Sequence, residues 1–243
     1  MRLRRKQHTQ DWLKEQGKLV VLQPEAQRGQ WNAYFGNDRP IHVELGMGKG
    51  KFISELSRLN PDINYIGIDM YDELIRRAGE KAMAVHDAKD ASGIGNLCLV
   101  RFNIERIERV FADREVERIY LNFSDPWPKT RHAHRRLTHP VFVRKYLRML
   151  NDRGEIHFKT DSRSLFEFSL NTFANLELCM RNISLDVHGQ GTPPGHVFTE
   201  YESKFVEQGM PIYRLEVVTG KEAVAEHRRR LEDVRSGLPG TDR

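Results

Sequence analysis

The residues best able to do chemistry lie at 122–129, a segment that reads N-F-S-D-P-W-P-K. Two prolines flank Trp127, so the backbone there is expected to be stiff and extended and to hold the carboxylate of Asp125 in place. A basic run at 131–136 follows directly. An acid, an aromatic side chain and a cationic strip in this order suit a nucleic-acid base, its surroundings and its phosphates. The alternative interpretation is a rigid surface loop beside a solvated run of charge.

A second candidate is the turn at 44–50, which reads E-L-G-M-G-K-G. Gly46, Gly48 and Gly50 allow a tight turn and let a ligand approach the backbone. Further along the chain, Asp69 closes a predicted strand, where its carboxylate can accept hydrogen bonds from both ribose hydroxyls of a nucleoside. Sites for NAD use an acid in the same way, so Asp69 alone does not choose between nucleotide cofactors.

The spacing within the turn separates three kinds of nucleotide site. A phosphate-binding P-loop would need glycine at 45 and serine or threonine at 52, where the chain has Leu45 and Phe52. A dinucleotide fingerprint would need another glycine where Lys51 stands. The pattern G-x-G-x-G with an acid two residues earlier resembles motif I of the class I methyltransferases. The turn and Asp69 together favour S-adenosylmethionine, with NAD and a bare structural turn left open as alternatives.

The elements that must position these residues alternate along the chain. Strands are predicted at 41–45, 64–69, 97–102, 118–123 and 154–160. Helices between strands imply parallel pairing, so we expect a doubly wound α/β sheet. Two late strands, near 178–187 and 212–218, have no helix predicted between them and should form an antiparallel hairpin at one edge. Ligands bind outside the carboxyl ends of the strands in such sheets, which is where both candidate segments fall.

Composition limits the class of protein. The chain has 243 residues, 39% of them hydrophobic, which suits one globular domain with at most a small appendage. No run of about 18 apolar residues is present to span a membrane, and no apolar stretch follows the basic N-terminus as in a secretory signal. We therefore expect a cytoplasmic protein with no membrane partner. Cys98 and Cys179 stand alone in apolar surroundings and predict free thiols rather than a zinc site or a disulfide.

Charge and periodicity divide the chain into three parts. Residues 1–38 begin with basic side chains, show no clean periodicity and are predicted to form an N-terminal arm. Residues 39–220 hold the alternating elements, and 221–243 form a charged tail. The formal net charge of +5 is only a mild indication of a polyanionic partner. The crowding of basic residues at 131–136 is the stronger indication.

Four separated motifs, in order, resemble the bacterial tRNA (guanine-N7)-methyltransferase family. They are N-F-S-D-P-W-P-K, the R-H-x-x-R-R-L that follows it, I-H-F-K-T-D at 156–161, and T-E-Y-E at 199–202 ahead of G-M-P-I-Y. The similarity spans roughly residues 41–218. Agreement over four motifs is much harder to reach by chance than one glycine pattern.

The resemblance implies roles for three sets of residues. Asp125 is the family's proposed catalytic residue, and it contacts the cofactor region together with the glycine turn, Glu44, Asp69 and Asn103. The family's substrate-binding positions correspond to Lys129, Asp161, Thr199, Glu200, Tyr201 and Glu202. Its RNA-contacting strip corresponds to Arg131, His132, His134, Arg135 and Arg136.

The resemblance also implies a fold and a reaction. The fold would be the Rossmann-like, mostly parallel sheet of class I methyltransferases, with seven strands and an antiparallel edge hairpin. The reaction would be transfer of a methyl group from S-adenosylmethionine to N7 of a guanosine in the variable loop of tRNA, forming 7-methylguanosine. The partner would be tRNA, and we expect a monomer or a homodimer.

For three of these predicted site positions, the sequence leaves a second interpretation open. Asn103 stands where many family members carry Asp, but an amide oxygen can still accept a hydrogen bond from the adenine amino group, so cofactor binding should survive. Asp161 could simply cap the helix that follows it. Residues 199–202 could be a turn and the start of a strand.

Other functions fit the sequence less well. His132, His134 and His157 have no matching cluster of acids or cysteines, so no metal site is expected. A non-catalytic RNA-binding protein on this scaffold would need neither the intact glycine turn nor the acids around it. An NAD-dependent oxidoreductase is disfavoured by Lys51 and by the lack of a hydride-transfer constellation. A methyltransferase for another base or for a small molecule is the nearer rival.

Overall fold

An eight-stranded sheet forms the centre of the molecule, in a computed structural model that describes residues 7–236. The strands are β1 (Val20–Val21), β2 (Ile41–Leu45), β3 (Asn64–Asp69), β4 (Leu97–Arg101), β5 (Val116–Asn122), β6 (Leu150–Thr160), β7 (Cys179–Ser184) and β8 (Tyr213–Val218). They lie in the order β1-β4-β3-β2-β5-β6-β8-β7. Pairing is parallel from β1 across to β6, and β8 is antiparallel to both of its neighbours, β6 and β7.

Helices cover both faces of the sheet. They are α1 (Gln7–Glu15), α2 (Trp31–Phe35), α3 (Lys51–Leu59), α4 (Asp72–Val85), α5 (Pro140–Met149), α6 (Arg163–Asn175), α7 (Glu200–Glu207) and α8 (Lys221–Ser236). The predicted doubly wound, mostly parallel α/β sheet with an antiparallel edge is therefore confirmed. The described part has eight strands rather than seven, because the two-residue strand β1 is too short to show in the sequence.

Alternating strand residues face two separate core layers. Val43 of β2 and Ile66 of β3 join a core that includes Phe166 of α6. On the opposite face, Tyr65 of β3 packs in a core that includes Ile53 of α3. Strands β2 and β3 are buried along their whole length, as expected of parallel strands covered on both faces. The carboxyl ends of β2 to β6 consequently meet at one edge of the sheet, where loops are free to form a site.

The late strands depart from the expectation in one respect. They pair antiparallel at the sheet edge as predicted, but α7 intervenes between them in the chain. The expectation of no helix between them is wrong. The signal for α7 was present as a capping box, in which Thr199 caps the helix and Glu202 returns a hydrogen bond to the capping residue.

The described part of the N-terminal segment packs into the domain. Trp31 is fully buried and its Nε1 donates a hydrogen bond to the backbone oxygen of Val110 at 3.0 Å. Strand β1 pairs with β4, and Leu13 of α1 is buried in the core layer of α3 and α4. Residues 7–38, predicted as an arm, thus extend the sheet and both core layers. The basic residues 2–6 and the tail residues 237–243 lie outside the described residues.

None of the helices between residues 7 and 236 combines the length and the apolar character needed to cross a membrane.

Candidate active site

The glycine turn after β2 borders open space at two of its three glycines. Gly46, Gly48 and Gly50 have φ values of +81°, +58° and +75°, in the left-handed region that favours glycine. A Cβ atom added to Gly46 or Gly48 would meet nothing within 4 Å, whereas one added to Gly50 would lie 2.6 Å from Cβ of Ala78. The first two glycines therefore leave room for a ligand, and the third allows α3 to approach α4.

Asp69, at the end of β3, holds this turn. Its Oδ2 accepts a hydrogen bond from the backbone N–H of Gly48 at 3.2 Å. Its Oδ1 accepts from the backbone N–H groups of Met70 and Tyr71 at 2.7 and 3.2 Å. Burial raises the pKa of Asp69, and these three N–H groups oppose the rise. A carboxylate fixed in this way can still offer its remaining lone pairs to a ligand in the open turn.

Glu44 carries an unpaired oxygen in a buried position. Its Oε1 accepts a hydrogen bond from Nδ2 of Asn122 at 3.0 Å, which joins the end of β2 to the end of β5. Its Oε2 is buried and has no partner among the described residues. Burial raises the pKa of Glu44 to about 8, against the lowering effects of the Asn122 hydrogen bond and the Lys159 charge. Such a group fits a positively charged ligand, which would supply the missing partner.

Asn103 follows β4 at the same edge and is exposed. Its Oδ1 accepts a hydrogen bond from the backbone N–H of Glu105 at 3.0 Å and so caps the 3-10 helix Ile104–Arg109. Its Nδ2 lies 3.2 Å from Oε2 of Glu105. The amide is therefore oriented by its neighbour, and its oxygen keeps one lone pair for a ligand.

The Asp125 loop, residues 123–129, is bent rather than extended. Phe123 and Trp127 have φ values of +50° and +41°, so the expectation of an extended backbone is wrong at Trp127. Arg136 stabilises the bend by hydrogen bonds. Its Nε and Nη2 donate to the backbone oxygens of Pro126 and Trp127, both at 3.0 Å. Asp125 itself is exposed at the top of this loop.

The basic run contains an exposed strip and one buried arginine. Arg131, His134 and Arg135 are exposed on the 3-10 helix Thr130–Arg135, and the guanidinium of Arg135 lies 4.9 Å from the Trp127 ring centre. The fifth residue predicted to contact RNA, Arg136, is buried, with 8% of its surface exposed. It is turned into the protein because it bonds the loop carbonyls, so the surface available to RNA excludes it.

Two further predicted site residues, Lys129 and His132, lie beside the exposed strip. Lys129 is exposed and precedes the 3-10 helix. His132 is half-buried, with its ring centre 5.9 Å from that of Trp127 and its Nε2 3.2 Å from Nε of Arg131. Both therefore stay available at the rim of the Asp125 loop.

Residues 199–202 form the start of α7, and Glu202 is the hub of a buried cluster. Its Oε2 accepts a hydrogen bond from Nζ of Lys159 at 2.7 Å. Its Oε1 lies 3.1 Å from Nε2 of His188 and 2.7 Å from Nε2 of His196. Burial alone would raise the pKa of Glu202, but the His196 hydrogen bond and the Lys159 charge outweigh it and lower the pKa to about 2. Glu202 is therefore occupied by the protein itself.

The neighbours of Glu202 on α7 are more accessible. Tyr201 is 58% exposed and stacks on Phe205, which in turn lies 5.9 Å from the ring of Phe123 in the Asp125 loop. Glu200 pairs with Lys81 of α4 at 3.3 Å. The start of α7 thus faces the Asp125 loop across a row of aromatic rings.

Asp161 is half-buried after β6 and does not cap the next helix. The capping residue is Ser162, whose Oγ accepts from the backbone N–H of Leu165 at 3.3 Å. No hydrogen bond or ion pair from the described residues reaches the Asp161 carboxylate. The capping interpretation is therefore excluded, and Asp161 stays a candidate for substrate binding.

Sequence reasoning missed that the fold gives histidines acidic partners. His157 lies 2.8 Å from Glu155 and 3.9 Å from Glu216, so the argument that it lacks such partners is wrong. Those two glutamates already pair with Arg181, at 2.7 and 2.9 Å. The second group with ligand-type side chains is the Glu202 cluster, where Lys159 occupies the carboxylate. Each group thus contains a cationic side chain of the protein, Arg181 in the first and Lys159 in the second.

The order of the strands defines a class I methyltransferase fold, together with the open glycine turn after β2 and the buried acid that ends β3. Solved structures share it. The 16S rRNA methyltransferase KamB aligns with a TM-score of 0.58 at 13% identity, over 79% of this chain and 93% of that one. An antibiotic-related methyltransferase aligns with a TM-score of 0.57 at 17% identity, over 83% of this chain and 96% of that one.

Sequence comparison narrows the class to a family. A family model described as a putative methyltransferase matches residues 38–215. Curated proteins called tRNA (guanine-N(7)-)-methyltransferase are similar along most of their length. The Bacillus velezensis protein is 48% identical over 217 residues, 89% of this chain and 96% of that protein. The Bacillus subtilis protein is 46% identical over 217 residues, 89% of this chain and 98% of that protein. This chain belongs to the tRNA (guanine-N7)-methyltransferase family.

Proposed function

We propose that this chain transfers a methyl group from S-adenosylmethionine to N7 of a guanine in tRNA. The observation that carries the proposal is the Glu44–Asn122 hydrogen bond at 3.0 Å. It ties the strand that leads into the glycine turn to the strand that leads into the Asp125 loop. This hydrogen bond supports a cofactor site next to a base site, in a chain whose relatives carry the name of this activity.

The residues around the glycine turn fit the cofactor. S-adenosylmethionine supplies an electrophilic methyl group on a positively charged sulfur. The unpaired Oε2 of Glu44 offers a negative partner for a cation once it is ionised. Asp69 offers a fixed carboxylate for ribose hydroxyls, and the open sides of Gly46 and Gly48 leave space beside the backbone.

The Asp125 loop would orient the base and stabilise its developing charge. Guanine N7 carries a lone pair that is unprotonated near neutral pH, so this chain needs no general base. The ring gains positive charge as its N7 is alkylated. The exposed carboxylate of Asp125 can accept hydrogen bonds from the N1–H and amino edge of guanine, which grow more acidic during transfer. Positioning and one fixed negative charge are thus the contributions expected from the protein.

The exposed basic strip would bind the tRNA backbone. Arg131 and Arg135 are exposed beside the Asp125 loop, and each can contact a phosphate. Trp127, which stacks with Arg135, presents an aromatic surface next to them. Phosphate contacts fix the position of the RNA, and the loop then selects the base.

The test is methylation of tRNA that lacks the modification, with the methyl group of S-adenosylmethionine labelled. The expected result is label in tRNA at a guanine that aniline cleaves after borohydride reduction, a reaction specific to an N7-alkylated ring. Asp125→Asn should slow single-turnover transfer by about 10²-fold, the effect of losing one preorganised electrostatic group. Binding without transfer would indicate a non-catalytic RNA-binding protein. Label at N1 or N2 of guanine would indicate a methyltransferase of another specificity.

A further inference from the structure

Arg136 joins the Asp125 loop to the core of the domain. On the loop side, its Nε and Nη2 donate to two successive backbone oxygens, those of Pro126 and Trp127, both at 3.0 Å. On the core side, its guanidinium carbon lies 4.4 Å from the ring centre of Phe168 in α6. A planar, forked guanidinium suits this position because it can bond two carbonyl groups while its face rests on an aromatic ring.

The residues that follow Arg136 are packed against α6. Thr138, two residues further on, is fully buried, and its hydroxyl accepts a hydrogen bond from Oγ of Ser169 in α6 at 2.8 Å. His139 then caps α5 and stacks on Phe168. Arg136 and the residues that follow it are therefore held by α6, so the hydrogen bonds of Arg136 transmit the position of the core to the loop.

The Asp125 loop needs such support. Phe123 and Trp127 both adopt positive φ values, which residues other than glycine adopt only when the surroundings hold them there. No hydrogen bond or ion pair from the described residues reaches the Asp125 carboxylate. Among hydrogen bonds, only those of its backbone segment therefore hold Asp125, and Arg136 bonds the carbonyl oxygens of the next two residues.

We propose that Arg136 is a positioning residue for methyl transfer, acting through the backbone of Asp125, and not an RNA-contacting residue. The proposal rests on the proposed function for its kinetic consequences. Its structural part, the ordering of residues 124–128 by Arg136, holds independently of the reaction. The two parts can therefore fail separately.

The structural part is tested by NMR backbone order parameters in Arg136→Lys. Lysine keeps the charge and the apolar stem, but it cannot bond two carbonyl groups in a fork. The order parameters of Ser124, Asp125 and Trp127 should fall from about 0.85, the value of a rigid backbone, towards about 0.6, with those of α6 unchanged. The matched control is Arg148→Lys on α5, an exposed arginine that should leave the loop as it is. Unchanged order parameters in Arg136→Lys would overturn the proposal even if the chain methylates nothing.

The kinetic part is tested by single-turnover transfer at saturating S-adenosylmethionine and tRNA. Arg136→Lys should lower the rate by about 10- to 100-fold, as expected when a reacting group is misplaced by about 1 Å. The dissociation constants for both ligands should change by less than about threefold. The salt dependence of tRNA binding should stay unchanged even in Arg136→Gln, which removes the charge. Arg135→Gln, in contrast, should weaken tRNA binding and reduce the salt slope by about one unit.

A double-mutant cycle separates positioning from general damage to the fold. If Arg136 acts through Asp125, Arg136→Lys should slow the Asp125→Asn enzyme by less than about twofold, because the group that it positions is already gone. Rate losses that multiply across the two substitutions would overturn the proposal. So would a fall of about one unit in the salt slope of tRNA binding in Arg136→Gln, which removes the charge, because Arg136 would then be an RNA contact after all.

Discussion

At the scale of single residues, Glu44 couples cofactor binding to a proton. Burial raises its pKa to about 8, so in the free protein the carboxyl group is protonated at neutral pH. A cationic ligand favours the ionised form, so binding should release a proton. Affinity for S-adenosylmethionine should therefore rise with pH below about 8, by up to about tenfold per unit. Above that pH the group is already ionised and the dependence should end.

Calorimetry measures this proton directly. Titrations at pH 7 in two buffers with different ionisation enthalpies should show release of close to one proton per S-adenosylmethionine bound. Glu44→Gln keeps the size of the side chain and removes the titration, so it should bind more weakly and release no proton from this position. Equal binding enthalpies in the two buffers for the wild type would contradict the assigned role of Glu44.

At the scale of elements, the glycine turn performs two different tasks. Gly46→Ala places its new Cβ in open space and should cost about 1 kcal/mol of left-handed backbone strain. Gly50→Ala adds a clash with Ala78 of α4, and this overpacking should lower the unfolding free energy by about 1–3 kcal/mol more. Urea unfolding should therefore show a clearly larger loss of unfolding free energy for Gly50→Ala. Equal losses would mean that the α3–α4 contact does not depend on Gly50.

The start of α7 depends on the charge of Glu202. Its pKa is lowered to about 2, so its stabilising contribution is present above the unfolded value near 4.3 and is lost as the pH falls towards 2. Glu202→Gln would leave Lys159 buried without its partner, which costs about 3–5 kcal/mol. Its unfolding free energy should be lower at neutral pH and should fall less between about pH 5 and pH 3.

The matched control for Glu202 is Glu207→Gln, an exposed position on the same helix. It should follow the wild type at every pH. If Glu202→Gln unfolds with the same free energy as the wild type at neutral pH, the buried cluster does not hold α7 in place.

The sequence predicted those elements whose signals are local. A glycine turn, a closing acid and a proline-flanked loop each occupy a few residues, so the strand ends could be placed before the structure was known. The burial of Arg136 could not be predicted, because a run of basic residues does not show which of them turns into the protein. The same holds for Trp31, which has no periodic neighbours to mark it as core. The α7 capping box is present in the sequence as T-E-Y-E at 199–202, but the same residues also match the family's substrate-binding positions, so the pattern alone does not identify a helix start.

At the scale of the whole molecule, tRNA binding should depend on a small exposed charge pattern rather than on the net charge of +5. Replacing both Arg131 and Arg135 by Gln should lower the slope of log K against log salt by about two units. The control is the pair Arg109→Gln and Arg148→Gln, exposed arginines whose partners are Glu25 and Asp113. An unaltered slope in the first double variant would move the RNA surface to another part of the molecule.

The most direct test of the whole account is the pH dependence of N7 methylation. Single-turnover transfer to tRNA is measured at saturating S-adenosylmethionine from about pH 6.5 to 8.5, with the product mapped to the ring atom that carries the label. Because N7 has no proton to lose, and because saturation removes the effect of Glu44 on binding, the rate should be nearly flat and the label should lie on N7. A rate that rises about tenfold per pH unit, or a label on N1 or N2, would show that a proton is abstracted and would contradict the account.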